Sequence, residues 1–247
     1  MSDSIESVAV VGGGIMGGDI GQVLAQAGYD VNLRDVEEDA LADTEDRIKN
    51  GNYGLGASVE GGYITAEERD ATLDRLTFTL DLDEALDDVD AVFEAVPEDL
   101  ALKGDVFREI DNHTEGIPLF SNTSGLSVTA LANAVEDRSR FAVTHFFSPV
   151  PVMDLVEIVR APQTDDRVIE VAQSIAEDLD KTYITIEDTT EEYGFVANRC
   201  YFALMEEAER VVDEGIATEE QVNTALKEGF NHPIGPFELI GTGNEWD

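Results

Sequence analysis

Apolar positions along this chain recur in two rhythms. Short runs rich in β-branched and aromatic residues read as strands buried on both faces of a parallel sheet. They are Ser7-Val-Ala-Val-Val11, Tyr29-Asp-Val-Asn-Leu33, Leu76-Thr-Phe-Thr-Leu80, Ala91-Val-Phe-Glu-Ala-Val96 and Pro118-Leu-Phe-Ser121. Between the first two, Ile15, Ile20, Val23, Leu24 and Ala27 follow helical spacing, and Gly28 supplies the stop. Residues 39–75 read as two helical pieces broken by the glycine-rich Gly51 to Gly62, which by spacing alone is a surface loop. Thr65-Ala-Glu-Glu68 is a capping box opening the second piece. Leu82 to Leu86, the segment after Pro97-Glu98-Asp99, Val128 to Val135 behind a Ser127 cap, and Thr164 to Leu179 complete the helices of this half. Arg140 to Phe147, Leu155 to Val159 and Thr182 to Ile186 are further strands. After Asp188 strands cease, leaving amphipathic helices over Phe195 to Glu214 and Glu219 to Gly229. The pattern predicts an α/β domain over residues 1–188 and a smaller all-α domain over 189–247.

The first strand runs straight into Gly12-Gly13-Gly14-Ile15-Met16-Gly17, a Gly-x-Gly-x-x-Gly pattern. Alone it is weak. Here strand, glycines, helix and second strand follow in order, with Asp35 18 residues past the last glycine, which is the context of a dinucleotide site. Gly12 permits the tight turn, Gly14 lets a pyrophosphate approach the helix N-terminus, and Gly17 lets the helix pack closely. Asp35 suits the ribose hydroxyls of NAD and repels the extra phosphate of NADP; Arg34 beside it is the one residue that softens that preference. A Rossmann-type, mostly parallel sheet with helices on both faces follows. Ligands in such sheets sit at the carboxyl ends of the strands, which places Val96 to Lys103 near the cofactor. Lys103 reads equally as a solvated helix charge.

Charge narrows the partners. The 247 residues hold 54 acids against 15 bases, a net −39, yet the acids are spread between regular apolar positions. That is the surface of a folded protein suited to molar salt, where the Debye length is only about 3 Å. A halophilic source is expected. Nucleic acid needs a basic footprint that is absent. The N-terminus is polar and acidic, with no run of the roughly 18 apolar residues a membrane span needs. The single Cys200 excludes an intramolecular disulfide, so a cytoplasmic protein is expected.

The chemistry gathers around His145. Pro149 and Pro151 stop its strand, and a return strand brings Glu157 level with the imidazole. A carboxylate there fixes the tautomer and strengthens the other nitrogen as a base. A histidine in an apolar strand is otherwise a core residue, and both readings stand on spacing alone. His113, near Asp111, reads as a surface-loop residue, and His232 lies beside Pro233. Neither pairs with Cys200 at ligand spacing, so no metal is predicted.

Taken together, several segments resemble the 3-hydroxyacyl-CoA dehydrogenases, the short 3-hydroxybutyryl-CoA type in particular. They are Gly12-x-Gly14-x-Met16-Gly17, Glu94-Ala-Val-x-Glu98 with Lys103, Ser121-Asn-Thr-Ser124, His145-Phe-Phe-x-Pro-Val-Pro-Val-Met153, Glu157, Gly194-Phe-Val-x-Asn198-Arg199 and Gly235-Pro-Phe-Glu238. The resemblance implies oxidation of an (S)-3-hydroxyacyl-CoA thioester by NAD, or the reverse. His145 would be the general base, Glu157 its orienting partner, and Ser124 and Asn198 the hydrogen-bond partners of the reacting oxygen. Glu98, Lys103 and Asn122 would line the nicotinamide half of the site. The family also implies a homodimer built on the helical domain, provided that domain is complete enough. Four departures stand out: Ser148 where an asparagine is expected, Gly125 for a second serine, a 188–194 linker lacking a proline, and an end at Asp247, some forty residues early for the family. The last leads one to expect a partial helical domain. Two other readings fit the same fold: a dehydrogenase of a free hydroxy acid, gulonate 3-dehydrogenase-like, and a NAD-binding but inactive, truncated protein.

Overall fold

A computed structural model describes residues 5–188 and 193–242. The chain forms two compact units, residues 1–192 and 193–247.

The first unit opens with β1 (Ser7–Val11), α1 (Ile15–Ala27) and β2 (Asp30–Arg34). Gly28 ends α1 in the left-handed region at φ 108°, and its N–H caps the helix on Ala25 and Leu24 carbonyls. Next come α2 (Glu38–Asn50), α3 (Leu55–Glu60) and α4 (Ala66–Leu73). The glycine-rich stretch is thus not simply a loop: α3 lies inside it, and Leu55 is fully buried in the core. Six residues with one buried anchor give too little periodicity to see in sequence. The Thr65–Glu68 capping box forms as expected. There follow β3 (Leu76–Thr79), α5 (Leu82–Leu86), β4 (Ala91–Glu94), α6 (Leu100–His113), β5 (Leu119–Ser121), α7 (Val128–Ala132), β6 (Phe141–Phe146), β7 (Leu155–Arg160), α8 (Asp166–Asp178) and β8 (Thr182–Glu187).

The eight strands make one sheet in the order β3-β2-β1-β4-β5-β6-β7-β8. All neighbours are parallel except β6 and β7, which are antiparallel. The order reverses between β1 and β4, and that switch opens a crevice at the strands' carboxyl ends. One face carries α1, α2 and α8, whose Ile20, Leu24, Ile48 and Ile175 pack with Val8, Val10 and Phe93. On the other, Phe107 of α6 meets Phe141 edge-on with ring centres 4.8 Å apart. Side chains alternate along a strand, so His145 shares the Phe141 face.

The second unit holds α9 (Ala197–Asp213), α10 (Glu219–Phe230) and α11 (Pro236–Thr242). Sequence periodicity gave the first two; α11 is too short to register. Thr218 and Gln221 cap α10 reciprocally. Asn223 accepts the Phe237 N–H at 3.0 Å, fixing the entry to α11. Part of the 188–194 linker and the final residues of the chain lie outside the described residues.

Candidate active site

The glycine turn is shaped by close approach. Gly12 sits at φ +112°, and a Cβ there would lie 2.7 Å from the Ala95 carbonyl. A Cβ on Gly17 would lie 1.7 Å from the Gly12 oxygen, so α1 can start here only without a side chain. At Gly14 nothing lies within 4 Å of a Cβ position, and a glycine N-cap brings no side-chain acceptor to the helix start. The first N–H groups of α1 therefore face an open approach suited to an anion. From α2, the Thr44 hydroxyl donates to Gly13 O and the Arg47 guanidinium to Gly14 O at 2.9 Å. These supports come from another helix, and nothing in the glycine motif announces them.

Asp35 locks the same turn. Its Oδ2 accepts the Gly13 N–H at 2.6 Å, and its Oδ1 accepts those of Val36 and Glu37 at 2.7 and 3.1 Å. The carboxylate lines a cavity of about 630 Å³ that runs from Gly12 and Gly14 past Val96 and Glu98 to Asn122 and Ser124. That volume lies within the usual range for ligand sites. The turn, open helix start and acid at the end of β2 fit a dinucleotide.

Beneath the cavity lies a buried charge network. Glu94 and Lys103 are both fully buried, with Nζ 2.7 Å from Oε1. Lys103 also donates to Val96 O at 3.0 Å and approaches Asn122 O at 3.5 Å and Glu98 at 3.6 Å. Glu94 further accepts the Val96 N–H at 2.7 Å and the Ser121 hydroxyl at 2.6 Å. Burial raises the Glu94 carboxyl above its ordinary range, against the pull of Lys103. Lys103 is therefore not a solvated charge. It is also absent from the cavity wall, and ties together the loops that bear Glu98 and Asn122. An acid inside the run Ala91 to Val96 was the signal: a buried carboxylate needs a cation.

Glu98 lines the cavity and accepts the Thr123 hydroxyl at 2.6 Å and the Ser124 N–H at 2.8 Å, joining the loops after β4 and β5. Asn122 accepts the Phe146 N–H at 2.9 Å through Oδ1, so the wall ends against the neighbour of His145. In the β6–β7 ladder His145 stands directly opposite Glu157. The two are almost wholly buried, and Nδ1 is 2.8 Å from Oε2. With a carboxylate on Nδ1, that nitrogen is the donor, and in neutral imidazole Nε2 is the base. Phe147 packs its ring 4.4 Å from the imidazole. The turn beyond is held at both poles of Val150: its N–H donates to Asp19 at 3.2 Å, and its carbonyl accepts from Lys181 at 2.8 Å.

The structure thus brings Gly12, Gly14, Asp35, Glu98, Asn122 and Ser124 to one cavity, with Gly17 packed behind the turn, Lys103 below and the His145–Glu157 pair next to Asn122. Asn198 lies in the second unit on α9, near Gly194, whose φ of +88° admits the close approach. His113 is not in a loop. It ends α6, with Nδ1 against Glu109 O and Nε2 2.8 Å from Asp83. Among the described residues no three His, Cys, Asp or Glu side chains converge as metal ligands, and no helix is long and apolar enough to cross a membrane.

Comparisons with known proteins find relatives over most of the chain. The family profile "3-hydroxyacyl-CoA dehydrogenase, NAD binding domain" matches residues 7–189, and "3-hydroxyacyl-CoA dehydrogenase, C-terminal domain" matches residues 194–243. A probable 3-hydroxybutyryl-CoA dehydrogenase of Deinococcus radiodurans is 39% identical over 232 residues, covering 93% of this chain and 80% of that one. The mitochondrial hydroxyacyl-coenzyme A dehydrogenase of Sus scrofa is 36% identical over 96% of this chain and 75% of its own. The crystal structure of (S)-3-hydroxybutyryl-CoA dehydrogenase from Ralstonia eutropha superposes with a TM-score of 0.90 at 34% identity, covering 96% of this chain and 81% of that one. Fold, glycine turn and sequence lead to the same conclusion: the chain belongs to the 3-hydroxyacyl-CoA dehydrogenase family.

Proposed function

We propose that this protein interconverts (S)-3-hydroxyacyl-CoA and 3-ketoacyl-CoA with NAD, His145 serving as general base in oxidation and general acid in reduction. The observation that carries the proposal is the buried His145–Glu157 pair beside the Asn122 end of the cavity. The helix start at Gly14 would hold the pyrophosphate, and Asp35 the adenosine ribose; Glu98 and Asn122 would border the nicotinamide half, with Lys103 steadying both from below. Bound there, a nicotinamide would supply the hydride acceptor for C3. His145 takes the 3-hydroxyl proton on Nε2, and Glu157 stabilises the imidazolium that forms. In reduction the same nitrogen returns the proton to the carbonyl oxygen. The two directions thus require opposite protonation states of one ring. Ser124, on the cavity wall, is assigned as a hydrogen-bond donor to the reacting oxygen. The same role for Asn198 rests on the resemblance of the Gly194 to Arg199 segment.

The acidic surface supports a halophilic, cytoplasmic setting for the enzyme. The exposed Phe202, Ile216 and Phe230 of the second unit support a homodimer. The test of substrate class is NADH oxidation by acetoacetyl-CoA in about 2 M KCl, set beside free acetoacetate. Turnover confined to the thioester is expected. Equal turnover of the free acid would move the assignment to a hydroxy-acid dehydrogenase, and NADH binding without any turnover to an inactive protein.

A further inference from the structure

Among the described residues Arg34 is a cation without a counter-charge. The chain holds 54 acids and 15 bases, and among the described residues most cations find an acidic or carbonyl partner. Among the described residues Arg34, Arg138 and Arg167 have no side-chain hydrogen bond or ion pair, and the last two are solvent-exposed. Arg34 is half-buried, its Nε is sealed from solvent without an acceptor, and its side chain lines the cavity.

Its place on β2 decides what it faces. Leu33 and Asp35 point toward α1, where they bound the spaces beside Gly21 and Gly13. Arg34 alternates to the other face of the sheet, with Asn32, whose amide donates to Ala85 O of α5. Leu102 and Val106 of α6 line the cavity too, and Val36 stands at the end of β2. Val36 and Leu102 are 66% and 40% exposed, leaving uncovered apolar surface in the wall of the cavity. A planar cation flanked by uncovered apolar surface matches a purine base: the faces take dispersion contact, and the guanidinium stacks on the π-system.

We propose that Arg34 is an adenine-binding residue, its guanidinium stacking on the base while Asp35, on the opposite face of β2, takes the ribose. The inference rests on the dinucleotide reading of the cavity. A 2′-phosphate is the competing ligand for an arginine here, but it would share the ribose side with the Asp35 carboxylate.

The test measures dissociation constants by fluorescence and calorimetric titration for wild type, Arg34→Met and Arg34→Lys, each first shown to melt as wild type does. Arg34→Met should weaken NADH, NADPH and ADP-ribose by the same factor, about 3- to 30-fold, and leave reduced nicotinamide mononucleotide unchanged. Arg34→Lys keeps the charge but loses the plane, and should recover only part of the affinity. Unchanged NADH binding in Arg34→Met would overturn the proposal. So would full recovery by Lys, which would make the contact a point charge, or a loss confined to NADPH, which would make it a phosphate contact. Wild type that fails to bind NADH would instead overturn the dinucleotide reading itself.

Discussion

Replacing Lys103 by Met removes one charge from the pair beneath the cavity and keeps the aliphatic stem. Two effects follow. Lys103 gives up contacts at 2.7, 3.0 and 3.5 Å, and Glu94 is left fully buried with only the Val96 N–H and the Ser121 hydroxyl. Breaking a buried pair by deleting one partner costs about 3–5 kcal/mol, because the other charge stays behind. At about 2–4 °C per kcal/mol for a chain of this size, Tm should fall by roughly 6–20 °C. Part of the cost can be avoided by protonating Glu94, whose carboxyl burial already raises above its ordinary range. A group with a raised folded pKa binds its proton more readily in the native state, so its contribution to stability declines as pH rises toward the folded value. The deficit of the variant should therefore be larger at pH 8 than at pH 5. Chemical unfolding at both pH values, with Glu94→Gln and the double variant completing a cycle, gives the coupling directly. The double variant should be more stable than Lys103→Met alone. A deficit below about 1 kcal/mol, or one that does not change with pH, would refute the reasoning.

Gly17→Ala places a methyl 1.7 Å from the Gly12 oxygen, so α1 must move off the turn; a loss of about 1–3 kcal/mol is expected with weakened NADH binding, and wild-type titration curves would contradict it. Asp19 is buried against Val150 N–H, and burial raises its carboxyl above the ordinary 3.8 despite that bond and Arg47. Its native carboxylate therefore loses stability as pH rises from 3.8 through the raised value. Asp19→Asn keeps an acceptor without the charge, so its Tm should exceed wild type at neutral pH and converge with it toward pH 3.8. A difference independent of pH would sink this account.

The parts legible in sequence were those whose partner lies at a fixed offset. The unit from Ser7 to Asp35 reads directly because a strand buried on both faces is a short apolar run, and the glycines and the acid follow it at fixed spacings. The pairing of His145 with Glu157 was legible for a related reason: Pro149 and Pro151 locate the turn, and the turn sets the register from Val143↔Val159 to Phe146↔Val156. What escaped depends on distant partners. By spacing Lys103 reads equally as a residue near the cofactor or a solvated helix charge, and only the packing of β4 brings Glu94 beside it. Asp188, at the close of β8, marks in the sequence only the place where strands cease, yet it accepts four hydrogen bonds from Ser127, Val128 and Thr129 at the start of α7, 59 to 61 residues away. Asp19 lies in an apolar helix pattern, and its reason for being there, the Val150 N–H, is 131 residues on.

The central claim is that His145 moves the proton, and His145→Gln tests it most directly. The variant should bind NADH as wild type does, since its ring does not line the cofactor cavity. Its kcat for acetoacetyl-CoA reduction should fall by about 10²- to 10⁴-fold, the usual contribution of a positioned acid or base. A variant that binds NADH normally and keeps more than about a tenth of wild-type kcat would contradict the account.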